Sequence, residues 1–445
     1  MRLAVFFFFV LTVQAQSSEE VARVYTDHPR LFLNAHRLRL LKRERERESM
    51  RWTQFEALIK GGAQMPEPGF AYALYHAVTG DAAAAKRAVD WALTPSADIR
   101  QTAFVFDWCQ DALTPAQSKS LAAKLTTAAR ASKAHDIQST RTRALAAIAA
   151  ADELGDRGEA VMRDIVEGWW SKQMSPALAA GDDIASGADM LALLELLHAV
   201  RDNVNIDLRD SASDYFKQLP AFYVESNYPA PYPAPENEFR IAVYKGAGQP
   251  DLESAALSRA AGLALVAFDT NATENQFLQG WLMQDRFLLR GTLGSPYEFM
   301  WANPYQPGLS YAHLPLAFHD ARSGDVFVRS SWEEDATWFG LFQGEAQIFR
   351  DGKITVLKQA VVSSKQVPKF QVGDTATVAL GRSGAQFRAV GNEAFIIGLK
   401  RKTAYEVEVD GEEMTEMETD KTGNLEISLP PNQETGVRIR ERSHT

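Results

Sequence analysis

Two loops of this sequence concentrate side chains that bind polar ligands. Residues 227–240 alternate tyrosine, proline and alanine before ending in acidic and basic groups, and residues 301–313 combine aromatic rings with amides. Such rings stack on sugar rings, and amides bond to hydroxyl groups. Each loop also has a structural interpretation, the first as a brace across helix ends and the second as inter-domain packing. The candidates are Tyr228, Tyr232, Glu236, Arg240, Trp301, Tyr305, Tyr311 and His313.

Helices are predicted to position both loops, because residues 31 to about 285 have helical periodicity. Asn34 is a candidate helix cap, and Thr94-Pro95 and Thr114-Pro115 each place a cap residue before a proline, with Gln117 completing a capping box after Thr114. The segment 187–201 is apolar in nearly every direction, as expected for the inner helix of a two-layer helical array. The charged run 42–48 is interpreted as a solvated helix face.

Strands are predicted from about residue 321. Asp325 to Arg329 and Thr337 to Phe342 have strand composition, and Asp351-Gly352 is typical of a hairpin turn. Acidic residues from Glu406 to Asp420 are predicted to form the wet face of an antiparallel sheet. The fold class is therefore α+β multidomain.

Composition excludes several classes of partner. The chain has 445 residues and a formal net charge of −10, which disfavours general binding to nucleic acid or anionic membranes. Cys109 is the one cysteine, so there is no disulfide framework or cysteine-rich metal site, and no His-x-x-x-His pair is present. We expect no metal and no cofactor.

Residues 1–15 are predicted to be a signal peptide. Arg2 precedes an apolar run of about half a membrane span, and Ala15 ends a sequence that suits signal peptidase. Cleavage would leave a charge of −11, because only Arg2 is removed. We therefore expect a secreted or periplasmic bacterial protein without membrane insertion after cleavage.

Three segments together resemble the heparinase II/III-like family of bacterial polysaccharide lyases. They are residues 28–33 (HPRLFL), residues 106–115 (FDWCQDALTP) and residues 324–332 (GDVFVRSSW). The resemblance implies an incomplete (α/α) toroid over residues 31–310, followed by an antiparallel β-sheet or sandwich domain over residues 321–445. It also implies a polysaccharide partner, anionic or neutral.

The family's chemistry implies a β-elimination, which needs a group that neutralises the uronate carboxylate, a base and an acid. Family lyases use an Asn-His pair, a tyrosine and β-domain histidines. The corresponding segments here, 139–143, 182–187 and 343–349, contain none of these residue types. If the two loops meet, the replacements would be His313, Tyr232 and Arg240 as catalytic groups. Ligand-binding groups would be Arg141, Arg143, Tyr228, Glu236, Trp301, Tyr305 and Tyr311.

Two functions from different classes remain open. One is a divergent carbohydrate-active enzyme, most simply a lyase on a uronic-acid polysaccharide. The other is a non-catalytic relative that binds glycans or serves as a scaffold. Inverting glycoside hydrolysis is a further chemistry, with Asp182/Asp183 or Glu236/Glu238 as carboxylate pairs at a separation of about 6.5–9.5 Å.

Overall fold

A computed structural model gives the fold of most of the chain. It describes residues 22–131, 136–182, 188–233, 238–284, 291–357, 367–381, 384–412, 414–431 and 433–442. The predicted signal peptide, residues 1–15, lies outside the described residues, as do Asp183 and Glu236. Within the described part of the chain, no helix has both the length and the apolar character that a membrane span requires.

The first two-thirds of the described chain is helical, as predicted. The helices are α1 Ala35–Glu46, α2 Met50–Lys60, α3 Pro68–Thr79, α4 Ala82–Ala92, α5 Ile99–Trp108, α6 Pro115–Arg130, α7 Ile137–Ala149, α8 Ala151–Leu154, α9 Asp156–Arg163, α10 Ser175–Ala179, α11 Ala188–Val204, α12 Ser213–Glu225, α13 Leu252–Phe268, α14 Thr273–Gln284 and α15 Gly291–Trp301. A π-helical segment, Asp164–Met174, joins α9 to α10.

Two of the three predicted helix caps are confirmed. Asn34 accepts a bond from the backbone N–H of Arg37, and Thr114 forms a complete capping box with Gln117. The prediction that Thr94-Pro95 starts a helix is wrong. The Thr94 hydroxyl donates to the carbonyl of Trp91 at 2.7 Å, and α5 begins later, where Asp98 caps it.

The helices contact one another in an order that returns to its starting point. Going from helix to helix, α3 packs on α5, α5 on α7, α7 on α11, α11 on α13, α13 on α15, and α15 on both α2 and α3. The remaining long helices, such as α4, α6 and α14, pack against members of this series. Residues 190–200 of α11 are buried throughout, which confirms the prediction that this helix is buried on all sides.

The last third is β-structure in three sheets. The strands are β1 Tyr232–Pro233, β2 Glu238–Phe239, β3 Ala317–Asp320, β4 Asp325–Arg329, β5 Trp338–Phe342, β6 Glu345–Arg350, β7 Lys353–Leu357, β8 Lys369–Val372, β9 Ala376–Leu380, β10 Gly384–Ala389, β11 Glu393–Ile397, β12 Ala404–Val409, β13 Thr415–Glu418, β14 Leu425–Ser428 and β15 Thr435–Glu441. The sheet orders are β3-β4-β5-β6-β7, β14-β11-β9-β8 and β10-β15-β12-β13, and β1 pairs with β2 within the helical half.

Pairing in the three sheets is antiparallel except between β9 and β11, which run parallel. The predicted hairpin is confirmed, since Arg350 pairs with Lys353 and both Asp351 and Gly352 have positive φ. Acidic side chains of β12 face arginines of β15 across the sheet, as in the pair Glu408–Arg438 at 3.7 Å. This arrangement agrees with a hydrated face that carries charges of both signs. The prediction is wrong for Asp420, the last residue of the acidic run, which is buried and faces His319 at 3.0 Å.

The helical and β halves are joined by a buried ion pair and an aromatic cluster. Arg329 of β4 donates through Nε to Glu225 at the end of α12, at 2.9 Å. The indole N–H of Trp338 donates to the backbone carbonyl of Glu225 at 3.2 Å. Tyr228 packs on Trp338 and donates its hydroxyl to Gln347 at 2.7 Å. These contacts fix α12 against the five-stranded sheet.

Candidate functional site

A cavity of about 470 Å³ lies between the helical and β halves, and we call it the interdomain cavity. Helices α7, α11, α12 and α13 form one side, the segment 241–244 crosses it, and β4 with the turn after β5 closes the other side. The lining residues with polar or aromatic side chains are Gln138, Asp189, Phe222, Tyr223, Tyr244, Asp251, Ser254, Ser258, Asp325, Phe342 and Gln343.

Local structure places these side chains. Phe222 and Tyr223 lie one turn before the end of α12, so the ion pair between Glu225 and Arg329 also fixes their position. Asp251 caps α13 by accepting from the backbone N–H groups of Glu253 and Ser254 at 3.0 and 3.2 Å. These hydrogen bonds, that from Ser254 foremost, lower the pKa of Asp251. Its carboxylate is therefore ionised and engaged by the helix end.

The phenols in the cavity are hydrogen-bonding groups and remain protonated near neutral pH. Burial raises the pKa of Tyr223 well above its ordinary value, and burial also raises the pKa of Tyr244. The Tyr244 hydroxyl donates to the carbonyl of Gly248 at 2.8 Å. A tyrosine that serves as a general base would need the opposite shift.

The charge of the cavity is negative. Asp189, Asp251 and Asp325 line it, whereas no lysine, arginine or histidine is among the lining residues of the described chain. The amide of Gln138 donates to Asp189 at 2.8 Å. An uncharged ligand with many hydroxyl groups suits this lining better than a carboxylate-bearing one, because nothing in it offsets an anion.

The arginines predicted to offset an acidic ligand are engaged within the protein. Arg141 is buried and bonds to Glu195. Arg143 donates to Asp164 at 2.8 Å. Arg240 donates to the carbonyl of Pro229 and approaches Glu334 at 3.4 Å.

The predicted aromatic residues have varied environments. Trp301 is buried between Phe32 and His198 in the helical core. Tyr228 is also buried. The remaining predicted rings reach the surface to different extents, namely Tyr232, Tyr305, Tyr311 and His313.

Part of each predicted loop approaches the same segment of the β half. Tyr311 packs edge-on against Trp332, with ring centroids 5.2 Å apart. The guanidinium of Arg329 lies 4.2 Å from the centre of the Trp332 ring, and Arg240 of the other loop bonds to Glu334 at 3.4 Å. We call the group of Arg240, Tyr311, Arg329, Trp332 and Glu334 the interloop cluster.

None of the predicted site residues within the described chain lines the interdomain cavity. Sequence reasoning missed Gln138, Asp189, Tyr223 and Tyr244, although Gln138 precedes Arg141 by one turn of α7. Hydrophobic periodicity does not distinguish these residues from other polar or aromatic positions on helices, so the sequence contains no signal for them. Among the described residues, no group of three or more His, Cys, Asp or Glu side chains could hold a metal ion.

Comparisons with known proteins give distant similarities. No family model and no curated protein matches the sequence. Among solved structures, a heparan sulfate lyase HepC from Pedobacter heparinus aligns with a TM-score of 0.35 and 12% identity over 84% of this chain and 75% of that chain. A glycoside hydrolase aligns with a TM-score of 0.35 and 8% identity over 95% of this chain and 77% of that one. Similarities of this size assign neither a family nor an activity.

Proposed function

We propose that this chain is a carbohydrate-active protein that holds an uncharged glycan segment in the interdomain cavity. The observation that carries the proposal is the lining of the cavity. Phe222, Tyr223, Tyr244 and Phe342 provide aromatic surface, and amide, hydroxyl and carboxylate groups surround it. Sugar-binding sites combine apolar faces for stacking with a few oriented polar groups for hydroxyls.

This proposal favours the non-catalytic, glycan-binding alternative over a uronate lyase at the cavity. A β-elimination there would need a positive charge beside the substrate carboxylate. The described lining offers three aspartates instead, and its phenols stay protonated. The absence of such a cation among the described lining residues argues for binding of neutral sugars.

A second candidate function, β-elimination on a uronic-acid polysaccharide, is supported by the interloop cluster. Arg240 would exchange its contact with Glu334 for the substrate carboxylate, and Tyr311, with His313 two residues later, would provide proton transfer. The specific support for it is that Tyr311 packs on Trp332 and that Arg240 bonds to Glu334, two residues later in the chain. Tyr232 is not part of the interloop cluster, since its hydroxyl donates to Gln249.

The architecture that we infer for either function is an incomplete (α/α) toroid over residues 31–310 and a β domain over residues 321–445. The closed order of helix contacts from α3 through α15 supports it. Export after cleavage near Ala15 is part of the same proposal, with the composition of residues 1–15 as its support. An amino terminus at Gln16 in the mature protein would test it.

The decisive experiment measures binding and product formation in parallel. Calorimetric titration with neutral and uronic-acid oligosaccharides should show binding of a neutral glycan, and Tyr244→Ala should weaken it by about tenfold or more through lost stacking. Tyr72→Ala is the matched control, because Tyr72 packs with Arg87 on the outer face of the helical half.

The same oligosaccharides test the lyase candidate through absorbance of the unsaturated product. Product that depends on Arg240 and Tyr311 would favour the interloop cluster as the active site. Failure of every neutral glycan to bind, or equal effects of Tyr244→Ala and Tyr72→Ala, would refute the cavity proposal.

A further inference from the structure

The outer face of α1 carries a row of three exposed arginines, which we call the arginine row. Arg39 and Arg43 lie on α1 and Arg47 is its C-cap, so the three are spaced four residues apart. Residues at this spacing leave a helix on the same side, with about 6 Å of axial rise between neighbours. The row therefore presents three guanidinium groups in a line along the surface.

The arginine row has no acidic partner within the described chain. No carboxylate lies within 4.0 Å of the three guanidiniums, although Glu46 and Glu48 are exposed on or beside the same helix. Several exposed arginines of the β half do have partners, as in Arg388–Glu434 at 3.1 Å. An unpaired basic row is unexpected in a chain with 57 acidic and 47 basic residues, since carboxylates are in excess.

An exposed aromatic ring adjoins the row. The centre of the Tyr305 ring is 5.7 Å from Cζ of Arg43 and 5.2 Å from Cζ of Arg47, and 40% of the residue is exposed. The loop that carries it is fixed, because the side chain of Asn303 accepts from the backbone N–H of Tyr305 at 3.1 Å. Both guanidiniums lie over this ring, and its exposed part is the surface that remains for a sugar.

We propose that the arginine row and Tyr305 form a binding surface for a linear acidic polysaccharide. Guanidinium groups bind carboxylate or sulfate through paired hydrogen bonds, and their spacing is comparable to the length of one sugar residue. The Tyr305 ring stacks on a sugar between the charged contacts. This surface is independent of the interdomain cavity, so either proposal can fail without the other.

Charge favours a polysaccharide over nucleic acid or an anionic membrane. Three arginines in one row provide a local positive field on a protein whose overall charge is negative. Densely charged polymers and membrane surfaces are repelled by the rest of such a molecule. A flexible polysaccharide carries at most about one charge per sugar. It can contact the arginine row without approaching the acidic surface elsewhere on the protein.

The test compares ligands by affinity electrophoresis of the full chain. We expect polygalacturonate or alginate to retard the protein, dextran, duplex DNA and phosphatidylglycerol vesicles to have little effect, and high salt to abolish the retardation. The triple variant R39Q/R43Q/R47Q should reduce affinity by roughly tenfold or more, since three charge-assisted contacts are lost. Tyr305→Ala should also weaken binding of the polysaccharide, because the sugar loses its stacking partner.

A matched control changes the charge equally at another place. The variant R388Q/R438Q/R442Q removes three exposed arginines whose partners are Glu434, Glu408 and Glu416, and we expect it to bind acidic polysaccharide like the parent. Circular dichroism checks that each variant is folded. If the triple variant does not fold, the single variant Arg43→Gln replaces it in the binding test. Absence of binding by the parent, an equal loss in the control, or stronger binding to DNA or vesicles would overturn the proposal.

Discussion

His319 shows how neighbouring side chains set the charge of a single residue. Its Nδ1 faces Glu426 at 2.8 Å and its Nε2 faces Asp420 at 3.0 Å. Burial by itself lowers the pKa of His319, but the hydrogen bonds to Asp420 and Glu426 outweigh it and raise the pKa to about 9. The imidazolium therefore connects β3 to β14 and the turn before it.

Stability should consequently fall in mildly alkaline solution. The folded-state pKa of His319 is raised above its ordinary value of 6.5, so its contribution is complete below that pH and is lost as pH rises through about 9. We expect a loss on the order of 2–3 kcal/mol in the free energy of unfolding, measured in urea at several pH values. His319→Gln should be less stable at neutral pH and nearly independent of pH in this range. Parallel curves for parent and variant would contradict this assignment.

Glu195 is the centre of a buried charge network that joins several helices. It bonds to Arg141 and accepts from Nε of Arg100 at 2.9 Å. Arg100 also donates to Glu67 and to the hydroxyl of Tyr297, at 2.9 and 3.0 Å. The network links α5, α7, α11 and α15 with the start of α3, so it holds the members of the helix series together.

Removing Glu195 should destabilise the helical half strongly. Glu195→Ala leaves two buried guanidiniums without their shared carboxylate, which typically costs about 3–5 kcal/mol. Glu408→Ala is the control, because its pair with Arg438 is exposed and worth at most about 1 kcal/mol. Urea unfolding measures both, and similar values for the two variants would show that burial of the network has no energetic consequence.

At the scale of elements, α14 and the loop that follows α15 approach each other through glycine. A Cβ added to Gly280 in α14 would lie 1.8 Å from the carbonyl oxygen of Leu309, and Leu309 also donates its backbone N–H to Gln276 at 2.9 Å. This contact sets the course of residues 303–310, which carry Tyr305. Glycine is required here because any side chain would separate the two segments.

Alanine at two helix glycines should therefore have opposite effects. In a helix interior, Gly→Ala ordinarily stabilises by about 1 kcal/mol. Gly262→Ala in α13 should approach this gain, since its Cβ would meet Tyr223 at an ordinary contact distance of 3.6 Å. Gly280→Ala should instead lower the melting temperature and, by shifting the loop, weaken acidic-polysaccharide binding. Equal melting temperatures for the two variants would show that the loop adapts freely.

At the scale of the whole molecule, the two halves are coupled through α12. The pair of Arg329 and Glu225 is buried, and Arg329 also donates to the backbone carbonyls of Val224 and Asn227 at 3.3 Å each. An exposed contact lies elsewhere at the interface, where Lys421 donates to the carbonyls of residues 180 and 181. The buried pair holds the end of α12, two residues after Tyr223, which lines the interdomain cavity.

Arg329→Ala should affect both stability and ligand binding. It leaves Glu225 buried without its partner, which typically costs about 3–5 kcal/mol, and it releases the part of α12 that carries Phe222 and Tyr223. Neutral-glycan affinity should fall in parallel under conditions where the variant remains folded. Lys421→Ala should change stability by less than about 1 kcal/mol and leave binding unaltered, and calorimetry would detect a departure from either expectation.

Much of the architecture follows from local patterns in the sequence. The change from helical to alternating periodicity, the capping box at Thr114, the buried helix α11 and the turn at Asp351-Gly352 all depend on residues close together in the chain. Local hydrogen bonds and backbone preferences decide such features. The wrong prediction of a helix start at Thr94-Pro95 shows the limit of such local patterns. The Thr94 hydroxyl donates to the preceding Trp91 carbonyl, and Asp98 caps the helix instead.

The candidate sites depend on contacts between residues far apart in sequence, and only the tertiary structure decides them. Arg141 looks available for a ligand until Glu195, 54 positions later, is brought against it. Conversely, the charged run of α1 looks like an ordinary solvated face until Tyr305 is placed beside Arg43 and Arg47. Periodicity tells which side of an element faces the core, but pairing of charges and the walls of a cavity depend on how distant elements pack.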